Sequence, residues 1–242
     1  MRICISGTSS QGKSTFIKDF IKEYPGYVTP STSYRDKLKR KHSKKTTKDV
    51  QWQILNDMVD DLQKYGKDDK VIFDRSVLDN TVYTLWAYDR EGTGIDDKYI
   101  QKTLAVAREA YKFLDIIFFI PITKVAAVDY DTEDFKKDKK RGLTDETFRT
   151  EVDNIFKAIK HDWDVNVESK FFEHTDKPAI IEVFGTPAER IQMTKLYLGA
   201  DGEPMGEVDQ IQTQDDIKQT EDLKAQFGIS DSATEAYKNP KG

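Results

Sequence analysis

The 242-residue sequence has little cysteine and histidine and no long apolar run. Its single cysteine, Cys4, excludes an internal disulfide framework and any zinc site built from several cysteines. The three histidines lie far apart without metal-ligand spacing, which argues against a histidine metal site. No segment approaches the roughly 18 to 20 consecutive apolar residues of a membrane span, and no apolar leader follows Met1. We therefore expect a cytoplasmic protein that does not enter a membrane.

Acidic residues are concentrated near the C-terminus. Residues 200–242 contain ten acidic and four basic side chains, which leaves residues 1–199 with 33 acidic and 34 basic ones. The apolar periodicity fades after about Gly199, where small and polar residues predominate. We predict a folded domain over residues 1–199 and an acidic, mostly flexible tail over residues 200–242.

Short apolar segments alternate with amphipathic ones over the first 199 residues. The apolar segments predict strands at 1–6, 27–29, 71–74, 116–120 and 179–183. The amphipathic segments predict helices at 14–24, 47–65, 76–90, 96–113 and 145–159, and a further helix after Thr186. This alternation predicts an α/β fold of three layers, with a central, mostly parallel five-stranded sheet between helices.

The segment from Gly7 to Ser14 reads GTSSQGKS and fits the P-loop pattern GxxxxGK[ST]. It follows a predicted strand and opens a predicted helix, so its backbone N–H groups and the helix dipole are suited to hold phosphates. Lys13 is expected to reach the β- and γ-phosphates of ATP, and the Ser14 hydroxyl to bind Mg²⁺. The predicted fold is therefore a three-layer P-loop NTPase fold with ATP and Mg²⁺ as cofactors. The expected nucleotide-binding residues are Gly7, Thr8, Ser9, Ser10, Gln11, Gly12, Lys13, Ser14 and Thr15.

Asp74 ends the apolar segment 71–74 and is the second candidate catalytic group. A carboxylate at the carboxyl end of a parallel strand can hold the metal ion or its water, or take a proton from an attacking hydroxyl. An aspartate at this position is also suited to cap the following helix. Together with the P-loop motif, the catalytic role is favoured.

The segment DRSVLD, Asp74 to Asp79, together with Tyr83 resembles the DRSxLD…Y segment of the NadR-like P-loop kinases and ATPases. It is more loosely similar to the Asp-Arg motif of nucleoside and nucleotide kinases. The resemblance extends over about residues 1–198. It implies that Asp74 lies at the metal and the acceptor, and that Arg75 orients phosphate or acceptor oxygens. Tyr34-Arg35-Asp36 resembles the acceptor-side Arg–acid pair of this group, so the implied acceptor-binding residues are Arg35, Asp36 and Asp79.

The charged segment 131–141 resembles the lid of small kinases. Such a lid brings arginines over the transferring phosphoryl group when it closes. Arg141 is the candidate catalytic arginine, with Lys139 and Lys140 as helpers. Because the segment is mostly lysine, which lacks the guanidinium fork, a solvated charged loop explains it equally well.

The phosphoryl acceptor is left open by these motifs. Between Arg35 and Lys48, eight basic residues stand against a single acid, which suits either an anionic partner or a solvated loop. A nucleoside or nucleotide kinase is the first hypothesis. The second is a kinase of nucleic acid, acting on a 5′ end or on a hydroxymethylated base such as 5-hydroxymethyluracil in phage DNA, in the host cytoplasm. The third is a regulatory module that hydrolyses ATP slowly, which the Asp74-Arg75 pair disfavours.

Overall fold

The computed structural model describes residues 1–31, 47–88, 90–123, 136, 145–166, 169–172 and 177–205. The strands and helices lie within three residues of the predicted bounds, except that the helix predicted to end at residue 159 continues to Val165. The strands are β1 (Arg2–Ser6), β2 (Val71–Asp74), β3 (Ile116–Phe119) and β4 (Ala179–Glu182). The helices are α1 (Lys13–Glu23), α2 (Lys48–Gln63), α3 (Val77–Ala87), α4 (Asp97–Tyr111), α5 (Glu146–Val165) and α6 (Pro187–Thr194).

The four described strands form one parallel sheet in the order β2-β1-β3-β4. This confirms the predicted α/β fold with a parallel sheet. The fifth predicted strand, at 27–29, is reduced to a single bridge in which Val28 pairs with Val71 beside β2. Val28 donates to the Lys70 carbonyl, and the next residue that would donate toward β2 is Pro30, which has no N–H, so the pairing does not continue.

The sheet separates two apolar layers because alternate strand residues face opposite sides. Ile3 and Ile5 of β1 pack with α1 and α6, whereas Cys4 packs with the cluster formed by α2, α3, α4 and α5. The two central strands, β1 and β3, are buried along their whole length. This rigid centre holds the carboxyl end of β1, where the P-loop motif begins, next to the carboxyl end of β2.

The chain divides into two compact units, Met1–Glu203 and Pro204–Gly242. The first unit extends four residues past the predicted end of the folded domain at residue 199. Residues 201–203 bind its surface: Tyr27 donates its hydroxyl proton to the Gly202 carbonyl at 2.7 Å, and the Lys70 ammonium pairs with Glu203 at 2.9 Å. In the second unit only residues 204 and 205 lie in the described part, so the flexible tail stays a prediction.

Within the described residues, no helix combines the length and the apolar character that crossing a membrane requires.

Two truncations test where the folded domain ends. A chain ending at Glu203 keeps every contact described above, and we expect its free energy of unfolding to stay within about 0.5 kcal/mol of the full chain. A chain ending at Gly199 loses the hydrogen bond of the Tyr27 hydroxyl and exposes that ring, at a cost of about 1–3 kcal/mol. Denaturant unfolding followed by circular dichroism measures both. Equal stability of the two truncated chains would contradict this boundary.

Candidate active site

The loop between β1 and α1 is held in a conformation that its glycines permit. Gly7 has a φ of 140°, and a Cβ atom there would lie 2.7 Å from the carbonyl oxygen of Ile120, at the end of β3. Ser10 and Gly12 are both left-handed, with φ of 57° and 78°. Left-handed residues between right-handed or extended ones turn successive N–H groups toward a common side, which is how protein backbone forms an anion-binding concavity.

The N-terminus of α1 differs from those of the other five described helices. Those five begin at residues whose side-chain oxygen accepts a backbone N–H, namely Thr47, Ser76, Asp96, Asp145 and Thr186. Helix α1 begins at Gly12, where no side chain caps the first turn. The N–H groups of that turn and the positive end of the helix dipole therefore suit an anionic ligand.

Lys13 lies folded against this loop. Its side chain is buried, and its ammonium group donates to the carbonyl oxygen of Gly7 at 2.8 Å and to that of Thr8. The Thr8 hydroxyl oxygen is buried and has no hydrogen-bond partner among the described residues. Ser14 is half-buried and Thr15 exposed in the first turn of α1. The predicted nucleotide-binding residues thus lie around one helix end, and their ligand contacts stay a prediction.

Asp74 ends β2 beside Ile5 of β1, directly below the start of the loop. It does not cap α3, so that alternative is wrong. Ser76 is the cap, and Asp79 completes a reciprocal capping box with it. The half-buried Asp74 carboxylate makes no hydrogen bond or ion pair with the residues that the structure describes. Its role toward a metal ion or an acceptor stays a prediction.

The donors near the loop fit a magnesium ion better than a metal held by protein alone. Across the described ranges no group of three or more His, Cys, Asp or Glu side chains could hold a metal. Mg²⁺ is usually held by one or two protein oxygens together with substrate phosphates and water. The Ser14 hydroxyl and the Asp74 carboxylate are oxygen donors of the kind that Mg²⁺ prefers, and their role as its ligands stays a prediction.

Arg75 lies in the turn between β2 and α3, and its side chain contacts the loop between β1 and α1. Its φ is 74°, which is uncommon for an arginine, and its N–H donates to the Ile5 carbonyl at 3.1 Å. The guanidinium Nη1 lies 2.8 Å from Asp79 Oδ1, 3.3 Å from the Gly7 carbonyl oxygen and 3.4 Å from the Tyr83 hydroxyl. The DRSxLD…Y residues therefore form one contiguous cluster along α3.

Asp79 is buried beneath Arg75, with 1% of its surface exposed. Besides Arg75, it accepts hydrogen bonds from the Ser6 hydroxyl at 2.7 Å and the Ser76 N–H at 3.2 Å. Burial raises the pKa of Asp79, and the charges of Arg75 and Lys13 oppose that rise. Both carboxylate oxygens are engaged by the protein, while the acceptor-binding role predicted for Asp79 stays a prediction.

Two arginines that the sequence analysis did not single out also contact the loop. Arg149, in the first turn of α5, donates from Nε to the Ser9 carbonyl at 3.2 Å. Arg190, in the first turn of α6, donates from Nη1 to the Gln11 carbonyl at 2.7 Å. Each lies on the buried face of its helix. Arg149 is three residues before the buried Val152, and Arg190 is four residues before the buried Thr194. A basic residue on an apolar helix face, near a helix N-terminus that disfavours cations, is a signal that could have revealed them.

The remaining predicted site residues lie outside the described part of the chain. These are the acceptor residues Arg35 and Asp36 and the lid residues Lys139, Lys140 and Arg141. The basic segment that follows Arg35 is described only from residue 47 onward.

The chain is similar to proteins of known fold. The model of a family described as an AAA domain matches residues 2–168. A structure of deoxyadenosine kinase from M. mycoides with dCMP and dCDP superposes with a TM-score of 0.54 at 17% identity, over 80% of this chain and 96% of the kinase. The NadR protein in complex with NR superposes with a TM-score of 0.52 at 13% identity, over 85% of this chain and 53% of NadR. None of the curated proteins matches the sequence significantly.

The two aspartates of the DRSxLD segment are expected to differ in their effect on stability. Asp79→Ala removes the partner of a buried arginine and two further hydrogen bonds, and should lower the free energy of unfolding by about 3 kcal/mol or more. Asp74→Asn is the matched control: it removes no described contact and should change stability by less than about 0.5 kcal/mol. Chemical denaturation of both variants measures the difference, and a stable Asp79→Ala variant would contradict this arrangement.

Proposed function

This chain belongs to the AAA domain family, and we propose that it is a P-loop kinase. In this proposal it transfers the γ-phosphoryl group of ATP, with Mg²⁺, to a hydroxyl or phosphate of a nucleoside or nucleotide. The main support for the proposal is that two features lie side by side. The loop and the uncapped helix N-terminus, which are suited to phosphates, lie next to the Asp74 carboxylate at the end of β2, which has no described partner. The choice of acceptor class takes its support from the deoxyadenosine kinase and NadR, which share the fold.

Lys13 has the first role in the mechanism. Its ammonium group donates hydrogen bonds to the Gly7 and Thr8 carbonyls. When a triphosphate enters the loop, the ammonium group exchanges these neutral oxygens for the charged β- and γ-phosphate oxygens. Hydrogen bonds to charged acceptors are about twice as strong as those to neutral ones, which favours the exchange. Mg²⁺ held by Ser14 and Asp74 would supply further positive charge at the β- and γ-oxygens.

Asp74 and Arg75 act on the acceptor side. The acceptor oxygen forms a bond to the γ-phosphorus while the bond to the β–γ bridging oxygen breaks, and ADP leaves with that electron pair. The acceptor hydroxyl proton passes to the Asp74 carboxylate, directly or through a water. Arg75 is restrained by Asp79 and Tyr83, so its guanidinium group can orient phosphate or acceptor oxygens without a large loss of entropy.

The fixed arginine next to the acid distinguishes a kinase from an ATP-hydrolysing module. A hydrolase has to position a water molecule, whereas a transferase has to position a second substrate. Arg75 contacts the loop through the Gly7 carbonyl and lies over the Tyr83 ring. This position suits an acceptor group more than a lone water. The polynucleotide hypothesis rested on the basic segment, and the described residues add nothing to it.

Two substitutions test the assigned roles. Lys13→Ala should abolish phosphoryl transfer while the fold is retained, because the lost ammonium group is the principal phosphate ligand among the side chains. Asp74→Asn should lower kcat by at least about a hundredfold, the lower range for a positioned acid or base, without loss of stability. Steady-state kinetics with circular dichroism as the folding control measures both. Unchanged turnover of either folded variant would contradict its role.

A panel of acceptors identifies the substrate class. The full chain is incubated with γ-labelled ATP and nucleosides, nucleotides, plain DNA or hydroxymethylated DNA, and the label is traced. We expect label on a nucleoside or nucleotide, at a rate that changes little between 50 and 200 mM salt. Transfer to DNA with a steep loss over that salt range would favour the polynucleotide alternative, because such binding releases counterions. Release of labelled phosphate alone would favour the ATP-hydrolysing module.

A further inference from the structure

Four carbonyl groups of the phosphate loop accept hydrogen bonds from cationic side chains, those of Gly7, Thr8, Ser9 and Gln11. The Gly7 carbonyl accepts from Lys13 and Arg75. The Ser9 carbonyl accepts from Arg149 and the Gln11 carbonyl from Arg190. These cations come from α1, the β2–α3 turn, α5 and α6, so four separate parts of the domain converge on one loop of six residues.

A side chain that hydrogen-bonds to the carbonyl of one loop residue also determines the direction of the N–H of the next residue. In a trans peptide unit the C=O of one residue and the N–H of the following residue point in opposite directions, and the described chain has no cis peptide bond. Arg149 therefore fixes the direction of the Ser10 N–H, and Arg190 that of the Gly12 N–H. Both N–H groups point away from the arginines, toward the side of the loop opposite them.

The two arginines are buried and have few polar partners. Each is 7% exposed, and neither forms a close ion pair with a carboxylate in the part of the chain that the structure describes. The Nε of Arg190 is buried and has no hydrogen-bond partner there, whereas the charge of Arg149 interacts with the Asp153 carboxylate one turn further along α5. A poorly compensated buried cation is costly, and an anion bound nearby reduces that cost. Arg190 therefore brings an uncompensated positive charge to the loop besides the dipole of α1, and Arg149 brings a partly compensated one.

We propose that Arg149 and Arg190 are positioning residues of the phosphate site. They hold the Ser9 and Gln11 carbonyls so that the Ser10 and Gly12 N–H groups face the ligand phosphates, and their charge strengthens phosphate binding. The inference rests on the phosphate site of the proposed function but not on any acceptor. The two arginines act on nucleotide binding, before phosphoryl transfer. The role predicted for Arg141 is different, because that lid residue would contact the transferring phosphoryl group.

Affinity for ADP, measured by calorimetry with Mg²⁺ on the full chain, tests this role. Arg149→Met and Arg190→Met keep an apolar side chain but remove the charge and the donors. We expect each to weaken the binding of ADP and of a non-hydrolysable ATP analogue by a similar factor, about 10- to 100-fold, as for other hydrogen bonds to charged groups. Arg149→Lys and Arg190→Lys keep a charged donor and should recover part of the affinity. Arg90→Met is the matched control, since Arg90 lies on the surface against Trp86 and Glu151.

The possible outcomes separate the alternatives. Unchanged affinity in both folded methionine variants would overturn the inference, as would a loss of kcat with unchanged affinity, which indicates direct contact with the transferring group. If the methionine variants fail to fold, the lysine variants decide: affinity equal to that of the original chain would contradict a geometric role for the guanidinium. A chain that binds ADP but labels no acceptor would refute the kinase while this comparison of affinities still holds.

Discussion

The buried carboxylate of Asp79 is the interaction on which the rest of the site depends. It accepts from Ser6 at the end of β1, from the Ser76 N–H at the start of α3, and from the Arg75 guanidinium. One side chain thus joins the two strand ends at which the loop and the acid Asp74 emerge. A carboxylate with 1% exposure is stable only with such partners, so it fixes the relative positions of all three.

The loop itself depends on residues that are distant in sequence. Its carbonyls are held by side chains at positions 75, 149 and 190, and Gly7 packs against the end of β3. The phosphate site therefore requires the whole domain through α6, although its motif occupies eight residues. The proposed role of Arg149 and Arg190, which is to orient backbone groups, accounts for their burial without a close ion pair among the described residues.

Local sequence patterns predicted much of this architecture. The P-loop motif and the strand-end aspartate are contiguous signals, and the capping residues Ser76 and Thr186 lie at their predicted helix starts. The fifth predicted strand is reduced to the Val28 bridge because Pro30, the next residue that would donate toward β2, has no N–H. Arg149 and Arg190 were missed because their contacts span 140 and 179 residues, a separation that no local pattern encodes. The burial of Asp79 was missed because its contact with Ser6 spans 73 residues, although its contact with Arg75 is local.

The most direct test of the account is to observe the loop amides while a nucleotide binds. In two-dimensional NMR spectra of the ¹⁵N-labelled chain, titration with ADP and Mg²⁺ should shift the Ser10 and Gly12 amide protons downfield, because they donate to phosphate oxygens in the complex. The first-turn amides of α1 should shift with them. Binding of ADP that leaves these amide resonances unchanged, and shifts residues elsewhere, would contradict the claim that this loop is the phosphate site.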